Sequence, residues 1–72
     1  MKPSAAAVLD LLRDSPEGVT QLDALIHAGT FRLAARIHEL RAAGYQIEAR
    51  TIVTPKGAHV ASYVLVQPVL GL

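Results

Sequence analysis

Residues 30–45 read TFRLAARIHELRAAGY and predict one amphipathic helix. Leu33, Ile37 and Leu40 follow the i, i+4, i+7 spacing of the stripe that a helix buries against its neighbours. Most other positions in the stretch are small or charged, so the remaining face is suited to solvent or to a partner. The fold is therefore expected to be organised around this helix.

Both ends of the predicted helix carry capping signals. Thr30 is a candidate N-cap, because its hydroxyl can accept a hydrogen bond from an unpaired N–H of the first turn. Gly44 is a candidate C′ residue, since glycine adopts the left-handed conformation there without steric cost. The helix is expected to cover about residues 30–43.

Two arginines, Arg32 and Arg36, lie on one flank of this helix, outside the buried stripe. Like charges at i, i+4 cost a helix roughly 0.2–0.5 kcal/mol. An anionic partner such as a DNA backbone would relieve that cost. The alternative is a solvated helix face on which Arg36 pairs with Glu39 at i+3.

Length and composition restrict the classes of protein. Seventy-two residues make a single domain, expected over residues 1–72, and a 51% hydrophobic fraction is enough for a small core. The absence of cysteine excludes disulfides and thiolate metal sites, and it favours a cytoplasmic location. No apolar run approaches the ~18 residues of a membrane span, and residues 1–10 do not read as a signal peptide, so no membrane partner is predicted.

The net charge of +1 conceals an asymmetry between the two halves of the chain. Residues 1–31 carry two basic and four acidic side chains, whereas residues 32–72 carry five basic and two acidic ones. A split of this kind indicates an anionic partner for the second half.

Two further helices are predicted before residue 30. The first covers residues 4–13, with Ser4 as a candidate cap, and its core positions are Ala5, Val8, Leu9 and Leu12. A turn at residues 14–18 and a very short strand at Val19 follow. Thr20 and Asp23 then have capping-box spacing, and the second helix over about residues 21–27 is expected to bury Leu22, Leu25 and Ile26. The second helix and the helix at residues 30–43 are separated only by a tight turn that contains Gly29, and two short helices joined in this way form a helix-turn-helix layout.

The periodicity changes after Gly44. Residues 46–53 partly alternate, residues 54–57 read TPKG, and residues 58–66 are rich in β-formers. These features predict a β-hairpin with its tip near Lys56 and Gly57. The predicted class is α+β, with three helices followed by a two-stranded hairpin and the order helix, short strand, helix, helix, strand, strand.

Residues 37–48 read IHELRAAGYQIE and resemble the winged helix-turn-helix family, in particular the N-terminal domain of biotin-operon repressors. The stretch is also similar to small helix-turn-helix proteins of phages and prophages, and the likeness covers roughly residues 4–66. It implies that the third helix enters the DNA major groove and that the hairpin, about residues 53–59, is a wing on the flanking backbone or minor groove. Many relatives have G-(V/I)-S-R before the third helix, whereas residues 28–32 here read AGTFR, so base preferences are not carried over.

Each candidate contact has a structural alternative. Arginine can pair with guanine or clamp a phosphate, and Ala35 can meet a thymine methyl or simply favour the helix. Thr30 is a phosphate donor or a plain N-cap, and the cations of the hairpin contact phosphates or protect an edge strand. The predicted DNA-binding residues are Thr30, Arg32, Ala35, Arg36, Glu39, Arg50, Lys56 and His59.

Phe31 has two possible roles, contact with thymine or packing back over the second helix as a staple. The second is preferred, because an aromatic side chain in the first turn beside an apolar helix end usually packs. Tyr45 and Tyr63 are expected to pack between helix and hairpin.

The preferred function is a sequence-specific, double-stranded DNA-binding protein, a small transcriptional or phage-type regulator that acts as a homodimer. Val69, Leu70 and Leu72, or the first helix, are candidate dimer surfaces. No catalytic set, cofactor site, metal site or small-molecule substrate is predicted, so an enzyme is not expected.

Two alternatives share this fold. One is a protein–protein interaction module such as an adaptor or anti-repressor, and the other is a recombination directionality or DNA-architectural factor. The first would be favoured if Glu39 and Glu48 neutralise the basic surface.

Overall fold

A computed structural model describes residues 3–66 as three helices followed by a two-stranded antiparallel hairpin. The elements are α1 (Pro3–Asp14), α2 (Gln21–Ala28), α3 (Leu33–Ala42), β1 (Ile47–Val53) and β2 (His59–Leu65). Val19 forms an isolated antiparallel bridge with Tyr63, with N···O distances of 2.8 and 2.9 Å. The predicted class and element order are therefore confirmed.

The core lies where α1 and α3 pack together beside the base of the hairpin. The predicted stripe of α3 and the predicted core positions of α1 are all buried. Tyr45 and Tyr63 pack against this core and stay partly exposed, as expected. The fully buried side chains of largest volume are Leu12, Leu33, Ile37, Leu40, Val8 and Val19.

Helix α2 has the predicted caps but not the predicted buried face. The Thr20 hydroxyl accepts from the Asp23 N–H at 3.3 Å, while the Thr20 N–H donates to the Asp23 carboxylate at 3.0 Å. The expectation that Leu22 and Ile26 are buried is wrong, because these side chains are 63% and 65% exposed. Ala24 is the buried residue of α2, and successive helix positions turn by about 100°, so Leu22 and Ile26 each lie about 160° away from it.

Helix α3 begins later than predicted, at Leu33 rather than at residue 30. Arg32 is the N-cap residue, and the Thr30 hydroxyl accepts from the Arg32 N–H at 3.1 Å instead of from the first helical turn. Phe31 does not act as a staple, since 81% of it is exposed. The expected cap of α1 is also wrong, because Ser4 lies within the first turn of a helix that starts at Pro3.

The end of α3 is formed as predicted. Gly44 has a φ of 104°, its N–H donates to Arg41 O at 3.0 Å, and the Tyr45 N–H donates to Leu40 O at 3.1 Å. These two bonds form a Schellman motif, which satisfies carbonyls that the helix leaves unpaired. The chain is thereby turned into β1.

The hairpin has the predicted position. Its register pairs Ile47 with Leu65 at the base and Val53 with His59 near the tip. Ile47 is the one buried residue of β1, so most of the hairpin projects from the core. The apolar tail that was a candidate dimer surface, residues 69–72, lies outside the described residues.

Candidate nucleic-acid interface

The start of α3 is held by side chains from outside the helix. The Gln21 amide group, on α2, donates through Nε2 to Thr30 O at 2.8 Å and accepts through Oε1 from the Leu33 N–H at 2.9 Å. Thr30 is only 7% exposed and supports the turn through the bond to Arg32. The orientation of α3 relative to α2 is therefore set by a tertiary hydrogen-bonded clamp, which no local spacing in the sequence indicated.

The outward face of α3 is small and nearly apolar. Since successive residues turn by about 100°, Ala35, His38 and Ala42 lie opposite the buried stripe. His38 and Ala42 are exposed, Ala35 is partly exposed, and the exposed Ala34 lies beside this face. Sequence reasoning did not include His38 among the contacts, although the same angular argument would have found it.

Arg32 and Arg36 do not have equivalent surroundings. Arg32 is exposed at the N-cap, and its guanidinium has no hydrogen bond or ion pair within residues 3–66. Arg36 is directed toward α1, where Nη1 donates to the Ser4 hydroxyl at 3.0 Å, while Nη2 pairs with Glu39 at 2.9 Å. Its side chain is 18% exposed. The pairing of Arg36 with Glu39 is confirmed, but the Arg36 side chain is mostly buried and does not lie on a solvated face.

The hairpin carries its cations in two different ways. Lys56 lies in the exposed tip turn, where the Gly57 N–H donates to Thr54 O at 2.8 Å. Arg50 pairs with Glu48 at 3.1 Å, but both side chains remain more than half exposed, at 60% and 56%. His59 begins β2 and is exposed.

Arg41 joins the end of α3 to the start of β1, a role that sequence reasoning missed. Its Nε and Nη2 donate to Ile47 O at 3.2 and 2.7 Å. The Val66 N–H donates to Gln46 O, so the backbone groups of Gln46 face β2. Backbone groups of successive residues in an antiparallel strand face opposite sides, so the carbonyl of Ile47 points away from β2, to the open edge of the sheet. Arg41 satisfies this group and fixes where the hairpin leaves the helix.

A groove of about 330 Å³ separates the N-terminal ends of α2 and α3 from the hairpin. Its walls are mostly apolar, and it is lined by Thr20, Gln21, Leu22, Leu33, Ala34, Ile52, Thr54, Val60, Ala61 and Tyr63. A second cleft, between α1 and α2, is lined by the acidic side chains of Asp10, Asp14, Glu17 and Asp23. The acidic half of the sequence thus forms a surface of its own, separate from Arg32 and Lys56.

Helix α3 and the hairpin therefore border one groove, and Arg32 at the start of α3 and Lys56 on the hairpin have no ion-pair partner within residues 3–66. A family model for the winged helix-turn-helix domain matches residues 4–68. The chain belongs to the winged helix-turn-helix family. In this family's terms α3 is the recognition helix and the β1–β2 hairpin is the wing, and DNA is the partner that the family match supports. No curated protein and no solved structure gives a significant match to the chain.

Glu39 and Glu48 neutralise only part of the basic surface formed by the recognition helix and the wing. Glu39 pairs with Arg36 on the recognition helix, and Glu48 pairs with Arg50 on the wing. Arg32 and Lys56 have no acidic partner within the described range 3–66. None of the helices in that range is long and apolar enough to cross a membrane.

Proposed function

We propose that the protein is a double-stranded DNA-binding regulator, with the recognition helix in the major groove and the wing on the flanking backbone or minor groove. The observation that carries this proposal is the pair of unpaired cations, Arg32 at the start of the recognition helix and Lys56 at the tip of the wing. Two cations on separate projecting elements can hold two positions along a phosphate backbone.

The predicted contact residues divide by their surroundings. Arg32 and Lys56 are the principal phosphate or base contacts, with Ala35 facing the groove. Arg50 contributes as well, because an exposed ion pair stabilises a protein by only about 0–1 kcal/mol and can exchange Glu48 for a phosphate. His59 lies on the wing near its tip and adds a peripheral contact.

Three of the predicted contacts, Thr30, Arg36 and Glu39, are engaged within the protein. Thr30 is buried in the turn, and Arg36 is held by Ser4 and by Glu39. In our proposal these side chains position the recognition helix and do not touch DNA. Their role is to keep Arg32 and the outward face of the helix in one orientation.

So few cations predict weak binding by one domain. Each neutralised phosphate contributes about −0.9 to the slope of log K against log salt concentration, so two or three contacts give a slope of roughly −2 to −3. A homodimer on two half-sites about one helical turn apart would double this slope. We propose such a dimer for a small transcriptional or phage-type regulator.

The proposal is tested by fluorescence anisotropy with a labelled duplex at two salt concentrations. The double variant Arg32→Ala/Lys56→Ala is expected to lower affinity at least tenfold and to reduce the salt slope by about 2, because two phosphate contacts are lost. Arg13→Ala is the matched control, since it removes an exposed cation from the last turn of α1. An unchanged affinity in the double variant, or no binding by the wild type at low salt, would refute the proposal.

The DNA-architectural alternative uses the same contacts but bends the duplex. A binding test on duplexes labelled at both ends measures bending as a shorter end-to-end distance, which the architectural function requires and the regulator function does not. Sedimentation of the free protein and of the complex measures the proposed homodimer independently.

A protein–protein interaction module is the second candidate, and the exposed apolar side chains favour it. Leu22 and Ile26 stand one turn apart on the outer side of α2, at 63% and 65% exposure. The substitution Ile26→Asp distinguishes this function, since it should abolish capture of a protein partner while leaving DNA affinity within about twofold.

A further inference from the structure

The side chains that could read hydrogen-bonding patterns of bases are mostly engaged within the protein. Arg36 is held by Ser4 of α1 and by Glu39 of its own helix. Arg41 is bonded to the Ile47 carbonyl, and the Gln21 amide clamps the turn before α3. Specific reading of guanine or adenine in the major groove depends on arginine, lysine, asparagine or glutamine. Of these, only Arg32 remains unengaged at the recognition helix within residues 3–66.

Apart from Arg32 and the exposed imidazole of His38, the groups left at the outer surface near the start of α3 are apolar. Phe31 is 81% exposed directly before the N-cap, Ala34 is exposed, and Ala35 lies opposite the buried stripe. In the major groove, the base-edge group that is recognised by apolar contact is the C5-methyl of thymine, and alanine and phenylalanine side chains are suited to it. The side chains of Phe31, Ala34 and Ala35 are therefore better suited to contact thymine methyl groups than to form hydrogen bonds with base edges.

The charges beside this apolar surface identify a duplex as its occupant. Arg32 follows Phe31 in the chain, and Lys56 lies at the wing tip, beyond the groove that Ala34 lines. A row of thymine methyls in a major groove is bordered by phosphates on both sides, so an apolar strip with a cation at each side is complementary to it.

We propose that the recognition surface identifies its site by contacting thymine methyl groups through Phe31, Ala34 and Ala35. The inference rests on the proposed DNA-binding function and adds a chemical class to its target, namely sites with adjacent thymines in each half-site. Arg32 supplies at most one hydrogen-bonded base contact beside them. Specificity should accordingly be modest and should depend on methyl groups rather than on base-pair hydrogen bonds.

The test begins with duplexes that the purified full chain selects from a randomised library. In the tightest duplex, each thymine is then replaced by uracil, which removes the methyl group and leaves the Watson–Crick edge unchanged. Affinity is expected to fall about fourfold for each contacted thymine, since that is the effect of burying one methyl-sized group. Replacement by 5-bromouracil, whose bromine is similar in size to a methyl group, should restore affinity.

The variant Phe31→Ala identifies the side chain that makes the contact. It is expected to weaken binding to the thymine duplex and to reduce the difference between thymine and uracil at the contacted position to less than twofold. Ile26→Ala is the matched control, because it shortens another highly exposed apolar side chain outside the groove. It should leave the thymine–uracil difference unchanged, and the circular dichroism of both variants should match the wild type.

The outcomes separate the inference from the function on which it rests. Tight selected binding with equal affinity for thymine and uracil duplexes overturns the inference and leaves the DNA-binding proposal standing. An equal thymine–uracil difference in wild type and Phe31→Ala overturns the assignment to Phe31. If no duplex is selected, the DNA-binding function itself fails.

Discussion

Two arginine–glutamate pairs of nearly the same length lie in different surroundings. Arg36 and Glu39 on the recognition helix are 2.9 Å apart, with side chains 18% and 32% exposed. Arg50 and Glu48 on the wing are 3.1 Å apart, with side chains 60% and 56% exposed. The first pair has a third member, Ser4 of α1, whereas the second has none within residues 3–66.

The comparison shows that the burial of an arginine side chain determines whether its guanidinium is accessible to a binding partner. The Arg36–Glu39 pair is partly buried, so removing a partner would leave the remaining charge with a desolvation cost that is only partly compensated. Through its bond to Ser4, Arg36 also links α3 to α1. An exposed pair is screened by water and salt, so Arg50 can leave Glu48 when a phosphate approaches. The same two residue types therefore link elements of the fold at one site and, in our proposal, are available for DNA binding at the other.

The largest expected effect is that of Arg36→Met, which keeps the apolar stem and removes the charge. Ser4 and Glu39 lose their guanidinium partner, so the free energy of unfolding should fall by about 1–2 kcal/mol. Urea denaturation measures this change. DNA affinity at a temperature where the variant is fully folded should stay within about twofold of the wild type. A large loss of affinity in a folded variant would mean that Arg36 contacts DNA.

Arg41→Met should have the next largest effect, about 1 kcal/mol in the free energy of unfolding, because the Ile47 carbonyl loses both of its guanidinium donors. The wing should then lose its fixed direction, so that Lys56→Ala has a smaller effect on affinity in this background than in the wild type. Arg41→Lys keeps a donor and should restore part of this coupling. Additive effects of the Arg41 and Lys56 substitutions would contradict a positioning role.

Arg50→Ala should change the free energy of unfolding by less than about 0.5 kcal/mol, since its ion pair is exposed. Its DNA affinity should nevertheless fall about two- to threefold at low salt and converge on the wild type as salt rises. Thermal denaturation and anisotropy titrations measure the two quantities. A stability loss equal to that of Arg36→Met would abolish the contrast between the pairs.

The smallest expected effect comes from Glu48→Gln, which releases Arg50 and removes a negative charge from the wing. Affinity for DNA should rise about twofold at low salt with no measurable change in stability. Glu39→Gln is the counterpart on the recognition helix, and it should lower stability without raising affinity, because Arg36 stays directed toward Ser4. A gain in affinity without a stability change in Glu48→Gln, together with a stability loss without a gain in affinity in Glu39→Gln, would support the comparison most directly.

Several parts of the site could be read from the sequence because short-range geometry determines them. The buried stripe of α3 and the Schellman turn at Gly44 follow from the period of the helix and from the conformational freedom of glycine. The capping box of Thr20 and Asp23 joins residues three positions apart, and the hairpin follows from its strand and turn residues.

The errors at α2 and at Phe31 share one cause, which is that burial depends on distant elements. Leu22 and Ile26 have helical spacing for a core face, but the eight-residue helix α2 faces α1 through Ala24. Phe31 was expected to pack on α2, yet the clamp that holds this turn is made by the polar side chain of Gln21. Periodicity gives the angle between side chains and does not say which side meets the rest of the chain.

The sequence by itself determined the order of elements, the core stripe of the recognition helix, the local caps of α2 and the turn that leads into the wing. Each depends on residues within about one helical turn or one hairpin. Only the tertiary structure decided where α3 begins, because Gln21 reaches Leu33 across twelve positions. It also decided which group the Arg36 guanidinium contacts on α1, because Ser4 lies thirty-two positions away in the sequence. Long-range hydrogen bonds of this kind leave no periodic trace, so the different surroundings of Arg32 and Arg36 appeared only when α1, α2 and α3 were brought together.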